Sequence, residues 1–232
     1  MLLAELAQVS GTSAASIKYY RREGLLPPGE HVTATRQEYG QGHVERLQLI
    51  QVLREMVGAP IARIRRLTAI LDDPDQGLLR ALREAQSITL GVDDGPPTRQ
   101  RDSVPEHPSI APLLQHLGWP DIDSAPRRAL SELLQGLDQQ GAPTGPEVLL
   151  TYAAPMQQIA RADLAWMRRL PDGAPQAPEK AGRDPGPDPG PSNDVLVMRA
   201  IAGSVAYDRL VQLLRALGHT SLSVMEDRPP RE

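Results

Sequence analysis

Three residues near the start of this chain, Ala7, Gly11 and Ile17, constrain its folding more than any others. A small residue on one helix lets a second helix approach closely. A glycine four positions later takes the sharp-turn conformation that a β-carbon disfavours. An aliphatic six positions further on buries the inner face of the second helix. Ser13 is placed to cap that second helix and Gly24 to end it. Between those ends lie Ser16, Lys18, Tyr19, Arg21 and Arg22, hydrogen-bond donors and cations on one short rod. Such a rod suits contact with phosphates and base edges. The spacing alone also arises by chance in helical proteins, where the same cations form a solvated face.

The following residues narrow the choice. The run from Ile17 to Pro28, reading IKYYRREGLLPP, is followed by Arg36-Gln37-Glu38-Tyr39 and then His43-Val44-Glu45-Arg46-Leu47. In order and spacing these closely resemble the MerR family of transcriptional regulators, over about residues 2 to 71. The resemblance implies a winged helix-turn-helix used as a homodimer on double-stranded promoter DNA. It further implies an indirect action on RNA polymerase, through deformation of the DNA between promoter elements. Lys18 takes the place of the family's recognition-helix arginine, as a single charged donor where arginine offers a fork. Tyr19 matches a phosphate-contacting tyrosine, and Tyr20 packs under the wing. Arg36 matches the wing arginine that clamps the backbone, and Tyr39 the tyrosine that anchors the wing. With Ser13, Ser16, Arg21 and Arg22 these form the expected DNA-binding set. The wing itself, 29–35, is a little long and contains Glu30, which phosphate would repel. Helix 1 lacks a polar cap, so its first turn is expected to fray.

The formal charge of −4 is unusual for a DNA binder, but it is unevenly spread. Residues 1–71 hold nine Lys/Arg and six Asp/Glu, so the excess cation lies where the motif is and the remainder is acidic. That modest excess predicts few phosphate contacts per subunit and strong salt dependence. The chain has no cysteine, which excludes thiolate metal sensing and iron–sulfur chemistry. Its five histidines are scattered without a His-x-x-x-His pair, so neither a metal site nor a cofactor is expected. No apolar run is long enough to span a membrane and no signal peptide is recognisable, so a cytoplasmic location is expected. No nucleophile elbow, phosphate loop or His–carboxylate motif suggests an enzyme. Asp121 and Asp123 form a carboxylate pair by sequence only.

The fold class that follows is mainly α: a MerR-like winged helix-turn-helix and an all-helical C-terminal domain. The expected divisions are a DNA-binding domain over 1–73, a linker or dimerisation helix over 74–91, and a helical effector and dimerisation domain over 92–232. Helix 3 is expected over 41–56 with Arg46 off its apolar face, and helix 4 from Pro60 to about Leu71. Arg63, Arg65 and Arg66 on helix 4 either reach flanking DNA backbone or face solvent. Helices are expected over 77–90, 110–117, 126–140 and 146–170, the last kinked or divided by Pro155. A flexible Pro/Gly-rich loop over 171–193 precedes a last helix over 194–217, ended by Gly218.

Aromatic residues beyond the first domain are few. Trp119, Tyr152, Trp166 and Tyr207, with Met156, are expected to line an apolar pocket for an organic small-molecule effector. The bland alternative is that they are ordinary core. An alternative function is sequestration of a drug or metabolite, with DNA binding vestigial.

Overall fold

The computed structural model describes residues 1–32, 37–92, 105–168 and 190–226. The expected loops over 91–108 and 171–193, and the wing tip with Arg36, fall wholly or largely outside them. The chain divides into two compact units. One is Met1–Thr89 together with Ser192–Glu232, and the other is Leu90–Pro191.

The first unit opens with α1 (Leu3–Ser10) and α2 (Ala14–Arg22), then a two-stranded antiparallel hairpin of β1 (Glu30–His31) and β2 (Gln37–Glu38). Helices α3 (Gln41–Glu55), α4 (Ile61–Asp72) and α5 (Leu78–Thr89) follow. Gly11 sits in the left-handed region at φ 67°, as the sharp turn requires. The Ser13 hydroxyl accepts the Ser16 N–H at 3.0 Å and caps α2. The start of α1 is not frayed. The Met1 amino group donates to the Tyr39 carbonyl at 2.9 Å, and the Tyr39 N–H donates back to the Met1 carbonyl. The Glu5 carboxylate accepts the Leu2 N–H at 2.7 Å. A pairing across the wing and an acidic side chain thus replace the missing cap.

Two buried clusters hold this unit. Leu6, Ile17, Leu26, Tyr39, Val44 and Leu47 pack beneath α1, α2 and the wing. A larger cluster joins α3, α4 and α5, and Tyr20 packs against both. Val197 and Ile201 of α9 (Asn193–Glu226) are buried in that larger cluster. The last helix was expected to belong with 92–232; instead its first turns complete the core of the N-terminal unit. It also runs through Gly218 to Glu226, because Gly218 takes no left-handed conformation.

The second unit contains α6 (Ile110–Leu117), α7 (Ala125–Gln139) and α8 (Pro146–Arg168). Ile110, Leu113, Ala125 and Leu134 are its buried hydrophobic residues among those described. Pro155 lies inside α8 without dividing it. His107 organises one end: its ring accepts the Ser109 N–H through Nδ1 at 3.2 Å, and its Nε2 lies 2.8 Å from the Asp138 carboxylate. Asp138 also accepts the Thr144 hydroxyl. Those two bonds, the Thr144 one foremost, hold its carboxyl below the usual carboxylate range. Asp121 and Asp123, the carboxylate pair by sequence, are each held by a separate arginine. Asp121 is paired with Arg127 and Asp123 with Arg128.

Candidate nucleic-acid interface

Burial of Ile17 fixes the orientation of α2. With that side chain turned inward, a helix of 3.6 residues per turn directs residues 15, 18, 19 and 22 outward. Ser13, Lys18, Tyr19 and Arg22 are exposed and Ser16 is half-buried. The Arg22 guanidinium lies 5.3 Å from the centre of the Tyr19 ring, so cation and aromatic face form one contact patch. Ser16 shares a 2.9 Å hydroxyl contact with Ser13. An open depression of about 350 Å³ beside the helix is lined by Lys18, Arg21, Arg22, Leu26 and Pro28.

Arg21 and Tyr39 form the seam between helix and wing. The Arg21 guanidinium donates to the Tyr39 hydroxyl at 2.8 Å and lies 5.9 Å from its ring centre. The Tyr39 ring is only 3% exposed and meets His43 edge-on. It therefore supports the wing from below and is not itself a surface for DNA, a correction to its place in the contact set. His43 in turn accepts the Gly40 N–H through Nδ1, and its Nε2 lies 3.3 Å from the Pro28 carbonyl. The hairpin also needs Gly29. A β-carbon there would stand 2.7 Å from the Glu38 carbonyl oxygen, and backbone cannot yield as a flexible side chain would.

The arginines of α4 are engaged in ion pairs, with Arg65 and Arg66 still partly open to solvent. Arg65 donates to the Glu23 carboxylate at 2.6 Å and to the Glu23 carbonyl at 2.9 Å, tying α4 to the end of α2. This engages the carboxylate that follows the recognition helix, which lies 3.7 Å from Arg22. Arg63 and Arg66 both pair with Glu84 of α5 at 3.2 Å, and Glu84 is 2% exposed.

Arg46 is the residue that the sequence pattern placed wrongly. It is 4% exposed, not off the packed face. Its guanidinium meets the carboxylates of Asp72 at the end of α4 and Asp194 at the start of α9. It also donates to the Leu25 carbonyl, just beyond α2, at 3.4 Å. Burial opposes its charge, but the bonds to Asp72 and Asp194 outweigh that and raise its pKa above the ordinary arginine range. Ser192 donates to Glu45 at 2.7 Å beside it. One cation thus ties the exit of the recognition helix to α4 and α9. A partner 148 residues away in sequence gave no local signal of this.

The five residues expected around an effector are not brought together within one unit. Trp119, Tyr152 and Met156 belong to the second unit and Tyr207 to α9 of the first. These four are 37 to 54% exposed. The Trp166 side chain lies outside the described set.

Residues 1–69 match the family described as MerR HTH family regulatory protein. The first 69 residues are a MerR-family domain. Among relatives, the HTH-type transcriptional regulator HmrR of Sinorhizobium medicae is 32% identical over 90 residues, covering 39% of this chain and 58% of that protein. A "probable heavy metal-dependent transcriptional regulator" of Haemophilus influenzae is 32% identical over 89 residues, covering 38% of this chain and 66% of that one. The chain thus spans somewhat over half the length of these relatives. The crystal structure of SCO5550 from Streptomyces coelicolor A3(2), a provisionally assigned transcriptional regulator, is 27% identical with a TM-score of 0.60. It covers all of both chains, so the likeness extends past the MerR-family domain into the later helices.

Proposed function

We propose that this protein is a transcriptional regulator that binds promoter DNA as a homodimer and responds to an organic small molecule. The observation that carries the reading is the exposed patch of Lys18, Tyr19 and Arg22 on α2, beside a wing braced by Arg21 and Tyr39. Such a patch supplies phosphate contacts through its cations and aromatic hydroxyl and leaves Lys18 and Ser16 to read base edges. Heavy-metal control, named for the Haemophilus relative, does not carry over through thiolates, because this chain has no cysteine. Among the described residues no cluster of three or more His or acidic side chains offers a metal site either.

The sensing part is assigned to the second unit. Tyr152 and Met156 stand one helical turn apart on α8, a pair able to cover one face of a planar ligand.

Gel shifts on DNA from the region upstream of the gene test the DNA half of the proposal. Specific retardation that weakens steeply with salt is expected. Arg36→Ala and Arg22→Ala should weaken specific and random DNA alike, whereas Lys18→Ala or Ser16→Ala should cost specificity, by about 1–3 kcal/mol for a good base contact. Equal losses for all four on both DNAs would contradict the division. Tryptophan fluorescence against a compound panel tests the sensing half. Tight ligand binding without any DNA retardation would turn the assignment to sequestration.

A further inference from the structure

The recognition helix α2 is closed by one buried residue. The Leu25 N–H donates to the Tyr20 carbonyl at 2.9 Å and the Gly24 N–H to the Arg21 carbonyl at 3.1 Å, with Gly24 at φ 72°. A left-handed glycine makes this closure possible. The last turn that it fixes presents Tyr19 and Arg22. Leu25 is fully buried, and its own carbonyl is held from outside by Arg46 at 3.4 Å. Arg46 is tolerated there because its charge is met by anions. One of them, Asp72, has a side chain 49% exposed. The Asp194 side chain is 17% exposed and accepts from both Nε and Nη2 of Arg46. It is the carboxylate better shielded from water, so it counters the buried charge more strongly.

The first turn of α9 is built to bring Asp194 to that point. The Ser192 hydroxyl accepts the Val195 N–H at 3.4 Å and donates to Glu45 at 2.7 Å. Glu45 and Arg46 are neighbours on α3, so two successive side chains grip this turn. Asp194, Val197 and Ile201 are spaced three and four apart, on one face of α9. Val197 and Ile201 enter the same buried cluster as Leu25.

We infer that Asp194 is a positioning residue for DNA reading, which through Arg46 keeps the end of the recognition helix closed. The inference deepens the regulatory reading proposed above and rests on it. Residues 192–194 follow directly on the second unit, which ends at Pro191. A change in that unit that lifts the first turn of α9 withdraws the better-shielded carboxylate. Arg46 then turns toward Asp72 and solvent, the Leu25 carbonyl loses its donor, and Tyr19 and Arg22 lose their fixed register against a duplex. The cations of α2 keep their charge, so reading of sequence suffers more than attraction to phosphate.

Asp194→Asn keeps the shape and removes the charge, and it tests this in the full chain. Amide exchange under native conditions reads the helix end without any DNA. The Gly24 and Leu25 amides should exchange about tenfold faster, and those of Leu49 and Ile50 in α3 should change less. In gel shifts, affinity for the upstream duplex should fall about tenfold and affinity for random DNA about twofold or less, with the salt slope unchanged. Ser192→Ala releases the same turn more mildly. It should move each quantity in the same direction by a smaller factor, and it replaces Asp194→Asn if that variant does not fold. Equal acceleration in α3 and at the helix end, or an unchanged ratio of specific to random affinity, reduces Asp194 to a structural role and overturns the inference alone. A wild-type chain that retards no DNA overturns the regulator reading and this inference with it.

Discussion

The unit that contains the MerR-family domain and the unit over 90–191 are both helical, yet they are built on different terms. The first buries long aliphatic side chains from six helices in two clusters and carries largely buried ion pairs besides, Arg46 with Asp72 and Asp194, and Glu84 with Arg63 and Arg66. The second buries four hydrophobic residues among those described, and no described residue of α8 is fully covered. Its polar anchors, around Arg127 and His107, lie partly in solvent. A DNA-reading surface needs fixed geometry, since base edges are read by side chains held in place. A sensing element is drawn from the less stable end of a structure, where local rearrangement is cheap in free energy. The contrast in packing therefore follows the division of labour proposed for the two units.

Four substitutions break or sharpen that contrast. The largest effect is expected at Arg46→Met, which leaves two carboxylates and the Leu25 carbonyl facing one another. About 3 kcal/mol of stability should be lost, near the lower end for a broken buried pair because Asp72 is half exposed. Urea unfolding measures it, and a loss under 1 kcal/mol would show that the hub is not holding the unit. Glu84→Gln should cost about 2 kcal/mol, since it leaves two arginines of α4 without their anion on a buried site. Its unfolding should still be a single transition for the first unit.

Gly29→Ala should destabilise by about 1–2 kcal/mol through overpacking against the Glu38 carbonyl. DNA affinity should fall more than this stability change accounts for, because the hairpin must open. Unchanged affinity would separate the wing from binding.

The smallest effect concerns pH. The Asp138 carboxyl is held below its usual range by Thr144 and His107. A depressed carboxyl stabilises the folded unit fully above its unfolded pKa, about 3.9, and that stabilisation disappears as pH falls through the lower folded value. Thr144→Val should therefore move the acid midpoint of unfolding of the second unit upward, leaving the first unit's midpoint where it was. Circular dichroism across pH 2 to 5 would follow it, and an unmoved midpoint would dismiss the Thr144 contact as a source of acid stability.

Much of the interface was readable from residue order because its causes are local. Gly11, Ser13 and Ile17 act within one turn of themselves, through backbone conformation, a cap and an inward face. Several misreadings share a source, in partners distant along the chain. The α1 cap comes from Tyr39, 38 positions away, and Arg65 was taken by Glu23 across 42. Pro155 and Gly218 were read as helix breakers by local preference, and both are passed by a continuous helix.

The order of residues by itself determined the two-helix motif, the hairpin after it, the positions of the later helices and the absence of thiol chemistry. Each depends on periodicity, on a single backbone conformation or on the presence of an atom type. Tertiary structure alone decided that the last helix returns to the first unit and that Arg46 is a buried hub. Those outcomes depend on which surfaces meet when the chain closes on itself, and the charge on Arg46 is tolerable inside only because Asp72 and Asp194 arrive there together.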